Sequence, residues 1–218
     1  MVLGIYGGGG LGREVLELAK QINIKKHIWD EIVFIDDYYP KPTLNGIKVL
    51  PYSKIDNIYS TESLVISIAI GEPFFRKQIY DIVIGKGYRL ANLIHPSIYI
   101  PDSTEIQEGA TINELSFISC NVKIGSNVYI QPQTLIGHDC IVKDHSVISP
   151  CASLAGGCHV GECVFVGMGA TVREKVQIGS WSIVGMGSVV GNNLPDEVIA
   201  LGNPARIFKK NEDKRVFI

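Results

Sequence analysis

The stretch LIGHDC, residues 135–140, sets His138 beside Asp139. An imidazole with an ordinary pKa of about 6.5 accepts a proton at neutral pH, and an adjacent carboxylate can fix its tautomer and raise its basicity. The pair is a candidate general base with its support, although a His beside an Asp is also an ordinary surface arrangement. His95, His145 and His159 offer the same chemistry, and composition does not rank them. The second candidate is GGGGLG, residues 7–12, in which Gly7, Gly9 and Gly12 fit GxGxxG between a strand and a helix. Free backbone N–H groups and the dipole at a helix N-terminus favour a phosphate. Asp36 and Asp37 follow at about the spacing of a ribose-binding acid. Glycines there also permit tight strand-to-helix packing, and the short domain suits a mononucleotide better than a nicotinamide dinucleotide.

The elements that must position these residues fall into two groups. Up to residue 95, apolar runs alternate with helix-like segments: strand VLGIYG, a helix from about Arg13, strands IVFIDD and SLVISIAIG, a helix after Pro73, and strand RLANLIH. That order predicts a small Rossmann-like α/β domain over 1–95. From residue 100 every sixth position is aliphatic, from Ile100 through Ile136 and Leu154 to Val190 without a gap, and two residues before each lies a small or β-branched one. This period marks a parallel β-helix, three hexads to a coil of 18 residues, over 96–218. The inward columns account for stability, so chemistry belongs to outward positions such as His138, which stacks between Cys120 and Gly156 on adjacent coils. Gly156 leaves room beside the ring for a substrate. The tail, broken by Pro195 and Pro204, is expected to fold over the last coil and end in partly mobile charged residues; Arg206, Lys209 and Lys210 there could meet phosphates or simply be solvated.

With 20 basic and 22 acidic residues the net charge is −2, which gives no footprint for nucleic acid or an anionic membrane. The apolar stretch SLVISIAIG is too short to cross a bilayer and the start has no basic n-region, so a cytoplasmic protein is expected. Cys120, Cys140, Cys151, Cys158 and Cys163 form an odd set without CxxC spacing, which suggests neither a disulfide framework nor a zinc site.

IYGGGGLGREV, FIDD, AIG, NLIHPS, the hexads, GHDC, SLAGG and LGNPAR, in this order and over nearly the whole chain, resemble the NeuD/PglD-type sugar acetyltransferases of the hexapeptide-repeat class. The resemblance implies a left-handed β-helix and a homotrimer, with acetyl-CoA in the groove between neighbouring subunits and no metal. It implies a nucleotide-linked amino sugar as acceptor, on the way to a surface glycan. The family's catalytic histidine and acid fall on His138 and Asp139, its acceptor-binding positions on Gly10, Leu11, Gly12, Asp36, Asp37 and Gly71, and its coenzyme contacts on Val147, Gly156, Met168 and Met186. Two positions depart from the pattern: Leu11 often corresponds to His, and Val147 to a second histidine, here displaced to His145. O-acetylation of sialic acid or a related sugar is the rival within this class. A nicotinamide-dependent enzyme and a purely structural solenoid are the rivals outside it.

Overall fold

The computed structural model describes residues 1–217; Ile218, the last residue assigned to the second unit, lies outside them. The wholly buried run Leu64–Ile68 forms β5, which lies parallel to β1 (Val2–Tyr6); β1 in turn pairs in parallel with β2 (Glu31–Ile35). A hairpin of β3 (Thr43–Leu44) and β4 (Ile47–Leu50) extends the sheet beyond β2, and β6 (Arg89–Leu90) closes the other edge, giving the order β3-β4-β2-β1-β5-β6. The order reverses between β1 and β5, and a crevice at such a switch point is where open α/β sheets bind ligands.

Helix α1 (Gly10–Lys26) buries Val15, Leu16, Leu18, Ala19 and Ile22, a stripe at helical spacing, against the sheet. Lys25 and Lys26 sit at its negative end, and His27 terminates it in the left-handed conformation. Helix α2 (Pro73–Gly85) opens on proline, which loses no hydrogen bond at that position. Among the described residues no helix is long and apolar enough to cross a membrane.

The segment RLANLIH divides, contrary to the single strand expected. Arg89–Leu90 completes the first sheet, whereas Leu93–Ile94 pairs in parallel with Thr111–Ile112 and begins the solenoid. Seven apolar-rich residues carry no mark of where the neighbour changes from β5 to the coil above.

The rest is a left-handed parallel β-helix of two-residue strands stacked 18 residues apart in three walls, for instance Leu135–Ile136 between Phe117–Ile118 and Ser153–Leu154. The inward column is buried from Ile112 to Val190, and the small column with it, including Cys140 and Cys158. At about 1.5–3 kcal/mol per buried aliphatic side chain, stacking accounts for the core. Every sixth residue from Gly109 to Gly187 turns a corner with positive φ, and most of these are not glycine: Asn121, Asn127, Asp139 and His145 among them. For corner residues other than Gly, Asn and Asp the conformation costs about 1–2 kcal/mol in isolation, which the coils on either side offset.

Arg76 of α2 joins the two units. Its fully buried guanidinium donates from Nε to the Asn127 carbonyl at 2.6 Å and from Nη1 to the carbonyls of Ile68 and Ile70, and it lies over the Tyr129 ring. The Asn127 amide donates to the Arg76 carbonyl and to His145 Nδ1, each at 3.2 Å. Burial pushes the His145 pKa down to about 4, with Lys77 and Arg76 acting in the same direction against Asp144 and Asp81. The folded chain thus holds this ring neutral while the unfolded chain protonates it from about pH 6.5 downward. Stability is present above pH 6.5 and is lost as the pH falls towards 4, by about 2–4 kcal/mol. His145→Gln should flatten the pH dependence of the unfolding free energy by that amount relative to wild type.

The tail does fold over the last coil. Val198–Leu201 pairs in parallel with Ile183–Val184 and then antiparallel with Arg206–Lys210. Its end is docked instead of left free in solvent. Lys214 reaches Glu197 at 3.0 Å, the guanidinium of Arg215 lies 4.1 Å from the Phe75 ring centroid, and the buried Glu72 carboxylate accepts from the backbone N–H groups of Val216 and Phe217 at 2.9–3.1 Å. A terminus rich in Lys, Asp and Glu looks solvated, but a carboxylate on another domain, 144 residues away, holds it.

Candidate functional site

Between α1 and the solenoid wall lies a cavity of about 1090 Å³. Of the acceptor positions expected from the sequence, Gly10, Leu11 and Gly71 line it; of the coenzyme positions, Val147, Met168 and Met186 do. Local folding explains the first three. Gly10 and Leu11 open α1 directly after β1, and Gly71 lies between β5 and α2, so both sides of the switch point converge, with the Leu11 side chain against Gly71. The first N–H groups of α1 have no side-chain cap, which leaves them able to bind an anion.

Gly12 is buried, and a Cβ there would overlap the Gly7 carbonyl oxygen. Its glycine is required for the close approach of helix and strand. Asp36 accepts from the N–H of Gly8 at 2.7 Å and from Tyr38 and Tyr39 at 2.9 and 3.0 Å, and Asp37 from Tyr52 at 2.8 Å. Neither acid lines the cavity. Both carboxylates organise the loops, and Asp36 ties the end of β2 to the glycine turn.

On the solenoid side, Val147, Phe165 and Ile183 form one outward column, each pairing with the next in register. Tyr129 continues it below, buried under the first domain. Met168 and Met186 stand at the corner that follows this wall, with half or more of their surface exposed. Sequence reasoning missed Phe165, although its outward place beside Val166 puts it in the same column as Val147. It also missed Glu14, Glu17 and Glu114, which bring three carboxylates to the cavity, where among the described lining residues there is no Lys or Arg. For Glu14 and Glu17 the signal was available: they follow Gly10 by four and seven residues on one helix face.

His138 and Asp139 do not line this cavity. They occupy the next corner of the prism, after the wall formed by Leu135, Ser153 and Thr171. The ring faces outward as expected, and its Nδ1 lies 2.7 Å from Asp139 Oδ2. Asp139 Oδ1 accepts from Asn121 Nδ2 of the preceding coil at 3.0 Å, and the Asp139 N–H donates to the Cys120 carbonyl at 3.1 Å. The hydrogen bonds from His138 and Asn121 hold the Asp139 pKa below the usual carboxylate range, so this group is an anion at neutral pH. With Nδ1 engaged, Nε2 is the ring atom left to take a proton.

The space over Gly156 is not vacant. The His138 ring itself lies across it, and a Cβ on Gly156 would come 2.5 Å from Cε1 and 3.0 Å from Cδ2. The Gly157 N–H is committed to the His138 carbonyl at 2.7 Å. Gly156 therefore shapes the histidine's position as well as the wall. His145, near the place of the family's second histidine, turns inward to Asn127 and Tyr80 at the domain joint. No cluster of three or more His, Cys, Asp or Glu side chains suited to a metal occurs among the described residues.

Residues 2–83 match the PglD N-terminal domain family, and residues 121–156 and 157–192 match the bacterial transferase hexapeptide repeats. The chain is 29% identical over 223 residues to GDP-perosamine N-acetyltransferase of Escherichia coli O157:H7, covering 95% of this chain and 96% of that protein. Among solved structures, it resembles the acetyltransferase domain of PglB from Neisseria gonorrhoeae in complex with acetyl coenzyme A. That match has a TM-score of 0.89 and 30% identity, and covers 95% of this chain and 98% of the other. PerB from Caulobacter crescentus, in complex with CoA and GDP-perosamine, aligns with a TM-score of 0.85 and 31% identity over 96% of this chain and 98% of its own. The chain belongs to the PglD-type hexapeptide-repeat sugar acetyltransferases.

Proposed function

We propose that the protein transfers the acetyl group of acetyl-CoA to the amino group of a nucleotide-linked amino sugar, within a cytoplasmic pathway of surface glycan assembly. The observation that carries this reading is the single cavity in which the start of α1 and Gly71 face the Val147, Met168 and Met186 wall. The helix N-terminus suits the acceptor's phosphates, and the apolar wall suits the arm of the coenzyme. Three carboxylates in the same cavity attract an ammonium group, which releases one proton to solvent to become the attacking amine, and this favours N- over O-acetylation.

The acceptor nitrogen attacks the thioester carbonyl while His138 Nε2 takes its proton, with Asp139 holding the ring. The Gly156 N–H is the proposed donor to the developing oxyanion. Collapse breaks the C–S bond, the sulfur leaves with the proton from His138, and the products are the amide and CoA. No covalent enzyme intermediate is needed.

His138 lies one corner away from the cavity of its own chain, so a second copy must supply the base. A homotrimer with the sites between subunits does this. Its support is the wall that leads to His138, on which Phe117 and Leu135 are exposed, with Leu115 exposed at the corner where that wall begins, an apolar face that association would cover. The test is CoA release from acetyl-CoA with GDP-, UDP- and dTDP-linked 4-amino sugars and with free sialic acid, alongside light scattering. Turnover of a nucleotide-linked amino sugar by a trimer is expected. Turnover of sialic acid alone, or tight binding of NAD(H) in place of a sugar nucleotide, overturns the reading.

A further inference from the structure

In-register coils 18 residues apart bring the corner residues of one coil within hydrogen-bonding reach of the next. Three examples are Asn121 Nδ2 to Asp139 Oδ1, Asn127 Nδ2 to His145 Nδ1, and Cys151 Sγ to Gln133 Oε1. At the corner that holds His138, this ladder runs Asn121, Asp139, Gly157. We propose that Asn121 is a positioning residue for acetyl transfer: from the coil below, it fixes the carboxylate of Asp139 so that the other oxygen stays on His138 Nδ1.

Three features of the site support this role. A carboxylate on one short side chain has two rotatable bonds and would otherwise be free to turn, since both Asp139 and His138 are more than half exposed. With Oδ1 held at 3.0 Å by Asn121 and Oδ2 at 2.7 Å from the imidazole, the plane of the carboxylate is fixed by two partners on different coils. Asn121 is itself anchored, because its N–H donates to Ser103 Oγ at 3.1 Å and its φ of 56° is one that asparagine tolerates well. Other donors fit this backbone poorly: Ser and Thr are too short, and Lys would compete with His138 for the charge. The nearest other charged side chain on the ladder is Lys175, whose stem packs beside Gly157. The role rests on the assignment of His138 as the base, and the test separates the two.

Asn121→Gly keeps the backbone conformation and removes the donor. It is expected to lower kcat about 5- to 20-fold, less than the roughly 10- to 150-fold worth of a hydrogen bond to a charged group because Asn121 acts on the base only through Asp139, with both KM values within about twofold and the thermal midpoint little changed. Asn121→Asp keeps shape and backbone preference but sets a second anion against Asp139. The acidic limb of its kcat/KM profile is expected to move up by about one pH unit. In a His138→Ala background, Asn121→Gly should have no further effect. Wild-type kcat in Asn121→Gly, an unshifted limb in Asn121→Asp, or additivity with His138→Ala overturns the positioning role. Full activity of His138→Ala itself removes the base assignment instead, so the two failures are told apart.

Discussion

His138→Ala is expected to lower turnover about 10²- to 10⁴-fold, the usual contribution of a general base, while the protein folds and assembles as before. The side chain is 65% exposed and belongs to none of the core clusters, so its removal leaves no buried cavity. KM for both substrates should stay within a few-fold, because a general base accepts its proton in the transition state and adds little to ground-state binding. The shared site adds a sharper expectation. Co-expressing His138→Ala chains with Met168→Trp chains, in which the cavity is blocked, should restore part of the activity, since mixed assemblies contain an intact cavity facing an intact base. An active His138→Ala protein would remove the mechanism, and no restoration in the mixture would place base and cavity in one chain.

Gly156→Ala is expected to cost about 10²-fold in kcat with little change in stability. Gly156 has no positive φ, so alanine meets no backbone penalty there; the effect comes only from the new methyl group, 2.5 Å from His138 Cε1. A carbon–carbon contact needs about an ångström more, and the exposed ring can provide it by swinging outward. A misplacement of that size costs about two orders of magnitude in rate without unfolding anything. The measurement is kcat beside thermal midpoint. A large loss of midpoint with proportionate loss of activity would mean that Gly156 serves the coil and not the base. In the double variant with His138→Ala the two losses should not add.

The solenoid was legible because its pattern is one-dimensional: each hexad repeats the same inward residue, and contacts are to the next coil alone. Gly10, Leu11 and Gly71 came from the resemblance to the family, and their convergence on one cavity follows from strand ends meeting at a switch point. What escaped depends on partners far apart in the chain. Asp36 and Asp37 look like ligand-binding acids, and their spacing gives no hint that Gly8, Tyr38 and Tyr52 supply amides to them. Glu72 carries no sequence mark of the tail it holds. Gly156 read as space for a substrate because the direction of the His138 ring is a torsional choice that spacing does not encode. Nor did spacing reveal that the base and the cavity occupy different corners, since the corner assignment requires knowing which wall faces the first domain.

The left-handed residue at every sixth position also limits how the chain can change length. Deleting one residue would put every later side chain out of phase, sending aliphatic groups into water and forcing β-branched ones through the corners. Residues that stay in the coil are therefore gained and lost as whole turns of the prism, which move the distal end by about 4.8 Å at a time and leave the lateral geometry of each remaining corner intact. The depth of the binding groove is thus quantised, whereas its walls can vary one residue at a time.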